Sequence, residues 1–326
     1  MKIIERVIMM PKKIIRAKKE SVSILSFMIL FIVFAVILKN SWIQNIPTML
    51  RDISWLGIVA IGQTVLLISG EFDLSVGSAY AFVGMCFVLF LQAGVGVIPA
   101  FIFAILISII IGLINSLITL RFKIPSLLVT LGFLFIYRGA AYLISGGFNV
   151  VFPESIRGGS FVTFLGGKPL GFHSSILLFA LIGVALALIL SWTRFGNQLF
   201  AVGGDPATAA SCGVSPNRTK TIAFIVCSSL TGLAGIIAAC TFSGVGPTFG
   251  TGLEFETIAA AVIGGALLSG GVGSIVGTIL GASTLLALKS GLILMGVNIF
   301  VYQIVLGPLV IAAVAIKEAI PRLFRK

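Results

Sequence analysis

The chain has 326 residues, of which 58% are hydrophobic and 10% charged, with a mean hydropathy of +1.19. A soluble domain runs about 45–50% apolar and about 25% charged, so composition argues against a soluble enzyme, a nucleic-acid binder and a disordered protein alike. The formal charge of +12 does not restore a nucleic-acid partner, because the basic residues sit at the ends of long apolar runs, the positive-inside pattern of a polytopic membrane protein.

Residues 1–20 carry seven basic and two acidic side chains ahead of an apolar run from Ser21 to Leu38, and no small-residue cleavage site follows. The segment reads as an uncleaved first helix behind a basic cytosolic stretch. Further apolar runs cover 53–69, 74–92, 95–120, 124–144, 175–193, 221–242, 257–270, 272–288 and 299–316. Backbone polar groups in lipid must be satisfied within the segment, so the runs predict an all-α bundle of about ten transmembrane helices. The run at 257–270 is short and reads as a broken or tilted helix. With a cytosolic N-terminus, sixteen of the 22 basic residues fall in segments 1–20, 121–123, 194–220 and 317–326. The six elsewhere are Lys39, Arg51, Arg138, Arg157, Lys168 and Lys289. This bias predicts both termini in the cytosol. One transmembrane domain then spans 21–316, with an external loop at 145–174, a cytosolic loop at 194–220 and a basic cytosolic tail at 317–326.

Two short strings echo each other. Gly70–Ser78 reads G-E-F-D-L-S-V-G-S and Gly252–Gly265 reads G-L-E-F-E-T-I-A-A-A-V-I-G-G, which sets Glu71 and Glu254 183 residues apart. Gly112-Leu113-Ile114 and Gly291-Leu292-Ile293 repeat at an offset of 179. An offset of five helices is odd, so the halves would form an inverted internal repeat, the architecture of transporters that alternate their access. The acids and their neighbours, Glu71, Phe72, Asp73 and Ser75, then Glu254, Phe255 and Glu256, stand open between two roles: capping helix N-termini and gating the pathway. Gly273, Gly277 and Gly281 recur every four residues and predict a tight helix contact. Cys86, Cys212, Cys227 and Cys240 form no C-x-x-C pair, and His173 is the single histidine with no acid within fifteen residues; neither a metal site nor catalytic residues follow.

In the loop at 194–220, Gly203–Val214 reads G-G-D-P-A-T-A-A-S-C-G-V. Asp205 suits an N-cap, Pro206 the first helical turn and Gly213 the stop, enclosing a helix of about 10 Å. Small side chains make it slender enough to enter a groove on a partner, and on this signal alone the string stands open between that role and an ordinary loop helix. Four strings now stand in order: G-E-F-D-L-S-V-G-S at 70–78; I-P-S-L-L-V-T-L-G at 124–132 with Tyr137-Arg138-Gly139 behind it; the loop string at 203–214; and G-T-G-L-E-F-E-T-I-A-A-A-V-I-G-G through L-S-G-G-V-G-S at 250–274. In these the chain resembles the permease subunit of bacterial sugar ABC importers of the ribose/arabinose/xylose/galactose type, over about residues 20–318.

The resemblance implies a type II-like ABC importer permease in the bacterial plasma membrane. It implies a homodimer, a cytosolic ABC ATPase that binds ATP and Mg, and an extracytoplasmic sugar-binding protein. The coupling segment would comprise Gly203, Gly204, Asp205, Pro206, Ala207, Thr208, Ala209, Ala210 and Gly213. Family members often carry an acid just after the proline and a base three positions on. Here these are Ala207 and Ala210, so shape contact must carry more of the docking, and Ala209→Trp is expected to block it. The chain holds no G-x-x-x-x-G-K-[ST] string that could cradle phosphates, so hydrolysis falls to the partner and this chain carries no cofactor of its own. The competing readings are a secondary, ion-coupled transporter, which needs a mid-membrane coupling site, and a membrane-embedded enzyme, which needs clustered His, Asp and Glu.

Overall fold

The computed structural model describes residues 12–169, 171–308 and 311, with side chains from residue 23 onward. Residues 1–11 of the expected N-terminal segment and the expected tail at 317–326 lie outside the described residues. Helices α1 (Lys12–Leu38) and α2 (Asn40–Ile68) meet at a corner where Lys39 takes φ 48°. The stretch between the first two apolar runs is therefore helix, with Pro47 inside it. Its polar letters are outweighed by Trp42, which is 1% exposed, stacks 5.4 Å from Phe34 and meets Phe31 edge-on. Burying an indole this completely fixes the corner more firmly than local composition can.

There follow α3 (Val76–Gln92), α4 (Val97–Phe122) and α5 (Ser126–Ser145). The expected external loop at 145–174 is partly structured. It holds strand β1 (Val150–Val151), a 3-10 turn at Glu154–Ile156 and α6 (Ser160–Gly166). Next come α7 (Ser174–Trp192), α8 (Arg194–Gly204), α9 (Pro206–Ser211), α10 (Pro216–Phe242) and β2 (Gly244–Val245). The chain continues as α11 (Leu253–Ile263), α12 (Ile275–Leu294) and the apolar α13 (Ile299–Pro308). β1 and β2 pair antiparallel, Val150 with Val245 and Val151 with Gly244.

Among the described residues six helices are long and apolar enough to cross a membrane: α2, α4, α5, α7, α10 and α12. This is fewer than the ten expected. The runs at 21–38 and 74–92 coincide with the shorter apolar stretches Ser23–Leu38 and Val76–Gln92, and the run at 299–316 begins with Ile299–Pro308, most of its remainder lying outside the described residues. The run at 257–270 is divided: α11 ends at Ile263 and the chain turns back on itself, with Gly270 N–H donating to Leu267 O and Leu267 N–H to Val272 O. A continuous apolar run does not distinguish a helix from a helix plus a buried turn, and Gly264-Gly265 and Gly270-Gly271 supply the turn.

The bundle is built around α2 and α10, whose most apolar stretches are 83% and 67% buried, against 22–28% for α4, α5 and α7. Lipid is as apolar as leucine, so what draws helices inward is close packing and polar contact. Gly62 of α2 lies so near α10 that a Cβ would sit 3.0 Å from the Cys227 Cα, and Gln63 accepts from the Cys227 thiol at 3.5 Å. Gly112 of α4 packs on the Phe224 carbonyl in the same way. The outer helices turn Ile110, Leu117, Phe135, Leu143 and Trp192 outward, as lipid-facing surface requires.

Candidate functional site

The corner at 203–213 is built as its sequence predicts. Asp205 Oδ1 accepts from the amides of Ala207 (2.9 Å) and Thr208 (3.1 Å), and Oδ2 from the Thr208 hydroxyl (2.7 Å). Those three bonds hold the exposed Asp205 carboxyl below the usual carboxylate range. Pro206 opens α9, and Gly213 at φ +80° ends the segment. Pro206, Ala207, Thr208 and Ala210 are exposed, whereas Ala209 is buried against its own chain. An indole at Ala209 would therefore break the corner before it met a partner, which corrects the reason for expecting Ala209→Trp to fail; the face offered outward is that of Ala207 and Ala210.

Sequence reasoning missed α8, which carries the corner. Its signal is present in Phe195, Leu199 and Val202, spaced four and three apart, of which Leu199 and Val202 are fully buried. At its end Gly203 is buried and in backbone contact with two other segments. A Cβ there would collide with the Ile68 carbonyl oxygen and stand 2.6 Å from the Gly271 amide nitrogen, and that amide itself donates to Ile68 O at 2.9 Å. Gly204, one residue on, is exposed with open space around it. The end of α2, the end of α8 and the turn after α11 thus meet backbone to backbone.

The link from α2 to α3, residues 69–75, carries the first acidic string. Glu71 pairs with Lys220 of α10 at 2.5 Å. Phe72 is half-buried against Leu67, Ala261 and Ala266. Asp73 is 1% exposed, and its Oδ1 accepts from the Ser75 amide (2.8 Å) and hydroxyl (2.5 Å). Asn115 of α4 donates to Asp73 Oδ2 (3.2 Å) and to the Ser75 hydroxyl (3.0 Å), and Tyr137 of α5 donates to Asn115 Oδ1 (3.2 Å). The backbone of the link is met as well: Ser126 accepts from Phe72 N–H and Thr130 from Leu74 N–H. An irregular segment inside a membrane bundle survives only if its polar groups are matched this way. Asn115 and Tyr137 were not among the expected site residues; a lone Asn in an otherwise apolar run was the signal.

The second string lies at the start of α11 and inverts the roles. Glu254 is buried, with Oε2 packed against Gly77 in the first turn of α3, and Glu256 pairs with Lys289 of α12 at 3.0 Å. In the first string the leading acid is ion-paired and the second is buried; here the leading acid is buried and the second is paired. Glu254 and Asp73 both end up at the N-terminal turn of α3, where the helix dipole favours negative charge, while Glu71 stands apart with Lys220. Phe255 is exposed. Arg138 of α5 clamps the approach to α11, donating to the carbonyls of Pro247 and of Phe249 (2.8 Å). Of the three expected packing glycines, Gly281 of α12 presses on the Ala260 carbonyl of α11 and Gly277 on the Gly264 carbonyl just past its end, whereas Gly273 precedes the helix and meets Ile68 and Thr64. Among the described residues no group of three or more His, Cys, Asp or Glu is placed to hold a metal ion.

Residues 45–314 match the family model described as branched-chain amino acid transport system / permease component. The chain is 33% identical to the probable ABC transporter permease protein YphD of Escherichia coli K12, over 83% of this chain and 81% of that one. It is 31% identical to the ribose import permease protein RbsC of the same strain, over 91% and 93%. It is 35% identical to the xylose/arabinose import permease protein XylH of Sulfolobus acidocaldarius, over 84% and 77%. No solved structure matches significantly. The chain therefore belongs to the family of ABC-importer permease components that includes the ribose and xylose/arabinose import permeases.

Proposed function

We propose that the chain is the membrane-spanning subunit of an ATP-driven importer in the bacterial plasma membrane, with both termini cytosolic. Two copies form the pathway for a monosaccharide, a pentose, hexose or related small polyol. An extracytoplasmic binding protein delivers the sugar, and a separate cytosolic ATPase, which holds ATP and Mg, docks on the corner at 203–213. The observation that carries this reading is the corner itself: a capped helix with an outward alanine face, mounted on a glycine in backbone contact with the end of α2 and the turn after α11. Such a mount suits a part that receives movement from outside the membrane. The substrates named for the relatives, ribose and xylose/arabinose, support a small polyhydroxylated solute.

The packing order supports an inverted repeat. Helix α2 packs on α10, α11 and α12, while α10 packs on α2, α3 and α4. Overlaying α2-α3-α4 on α10-α11-α12 exchanges one set of contacts for the other, as expected of halves related by a two-fold axis.

The test is a mild-detergent pull-down of the tagged chain from its native membrane, with partners identified by mass spectrometry. An ATPase recovered at about one copy per permease, in a complex that imports ribose, xylose or galactose, is the expected outcome. A partner-free chain that moves solute down an imposed ion gradient would overturn the reading in favour of an ion-coupled transporter.

A further inference from the structure

A cavity of about 320 Å³ lies far along α2 from the corner, lined by Arg51, Asp52 and Trp55 of α2, Thr251 in the turn before α11, Glu256 in its first turn, and Lys289 of α12. Trp55 precedes Ile68 by thirteen residues, which puts the cavity about 20 Å from the Gly203 contact at 1.5 Å per residue. Neither the corner nor the network around Asp73 uses these side chains.

Their charges cancel within the cavity. Arg51 donates to Asp52 Oδ1 through Nε (2.8 Å) and Nη2 (2.7 Å), and Lys289 pairs with Glu256 at 3.0 Å. The guanidinium lies 4.8 Å from the centre of the Trp55 ring, whose orientation is fixed by an edge contact with Phe242. The indole Nε1–H is buried without a hydrogen-bond partner among the described residues. The result is a flat aromatic wall beside two matched ion pairs, rich in donors and acceptors and free of net charge. A zwitterionic amino acid would need one free cation and one free carboxylate, and each is already taken. A neutral polyhydroxylated ring fits better: its hydroxyls both donate and accept, so they can bridge the remaining lone pairs of Asp52 and Glu256 and the remaining N–H groups of Arg51 and Lys289 without separating either pair, and its C–H face can lie on the indole. The volume is at the small end of ligand pockets, about 300–1,000 Å³, which suits one monosaccharide.

We propose that this cavity is the permease's own sugar-binding station, a stop between the binding protein and the interior of the bundle. The assignment rests on the sugar-permease reading above, and the experiment separates the two. Uptake of labelled D-ribose, D-xylose and D-galactose is measured in cells carrying the full importer. Trp55→Ala lowers uptake about tenfold, equivalent to about 1.4 kcal/mol, at equal membrane level, and Trp55→Tyr, which keeps a flat ring, restores most of it. In cells lacking the binding protein, Thr251→Cys, at an exposed position on the rim, is labelled from outside by a membrane-impermeant thiol reagent. The carried sugar slows that labelling and leucine does not. Sugar uptake indifferent to Trp55→Ala, or labelling that is absent, unprotected, or protected equally by leucine, overturns the site alone. A wild-type importer that takes up none of the three sugars overturns the sugar reading and this site with it.

Discussion

Gly203→Ala is the sharpest probe of how the corner is mounted. The added Cβ would overlap the Ile68 carbonyl oxygen, stand 2.6 Å from the Gly271 nitrogen and 2.8 Å from the Ile68 carbonyl carbon. All three neighbours are backbone atoms, so no side chain can swing aside. Relief requires the end of α8 to move off the end of α2, at about 1–3 kcal/mol for overpacking. The movement also opens the 2.9 Å bond from the Gly271 amide to Ile68 O, and a buried amide left unmatched costs about 1–3 kcal/mol. Alanine returns about 1 kcal/mol of helix propensity, so the net loss is about 1–5 kcal/mol. The measurement is thermal unfolding of the purified chain in detergent with a thiol-reactive fluorogenic dye, which reports the exposure of buried Cys227 and Cys240. Gly204→Ala is the matched control, since a Cβ there meets nothing within 4 Å; its melting point should equal or slightly exceed wild type. A Gly203→Ala chain that melts with the wild type, or a Gly204→Ala chain that falls equally far, would refute the argument from backbone contact.

Replacing buried Ala209 by Trp should lower the melting point in the same assay, whereas Ala210→Trp, at an exposed position, should leave it unchanged and instead reduce the ATPase recovered in the pull-down. Asn115→Leu removes the donor to both Asp73 and Ser75 and should cost about 1–3 kcal/mol, read as a lower melting point. For the cap, Asp205→Ala should speed hydrogen exchange at the Ala207 and Thr208 amides. Because the bonds to Asp205 hold its carboxyl below the ordinary range, the ionised cap stabilises the corner above the unfolded value near 3.8 and is lost only as pH falls through the lower folded value. Exchange protection at those two amides should therefore be the same at pH 7 and pH 5 once intrinsic rates are corrected, and protection already lost at pH 5 would contradict the assignment. The Glu71–Lys220 pair, with both side chains mostly buried, should show a coupling of about 0.5–3 kcal/mol in a double-mutant cycle of melting points.

The parts of the site that could be read from the sequence are those governed by local rules. Asp205, Pro206 and Gly213 act within one turn of chain, so capping chemistry alone places them, and the cap bonds form where that chemistry puts them. What Ala209 faces is decided by α8 and the body of the bundle, and nothing within the string at 203–214 encodes it. The acidic strings divide in the same manner. Their likeness is real in letters, but a letter-by-letter overlay pairs Glu71 with Glu254, while the fold pairs Glu71 with Lys220 and Glu256 with Lys289 and buries Asp73 and Glu254. Each string therefore supplies one buried and one ion-paired acid, in opposite order, and the order depends on which neighbouring helix brings the lysine.

The fold was legible as a set of apolar runs and illegible as an arrangement, because hydropathy measures preference for lipid over water and every run satisfies it. Which helix lies at the centre is a competition between lipid and protein as neighbours, and there the relevant letters are the small and polar ones. In α2, Gly57, Gly62, Gln63 and Thr64 fall within eight residues. Gly57 receives the Phe179 ring of α7, Gly62 the backbone of α10, Gln63 the Cys227 thiol and Thr64 the Thr278 hydroxyl of α12 at 2.6 Å. Four residues thus meet three helices, and leucines in their place would make the segment more hydrophobic while removing every reason for it to be central. The same logic explains the break at residues 264–274, where a nearly continuous apolar count hid five glycines, and the burial of α10 through Cys227, Thr231, Gly232 and Gly235. In a chain this apolar, the polar and small exceptions specify the architecture, and the hydrophobic majority specifies only the solvent.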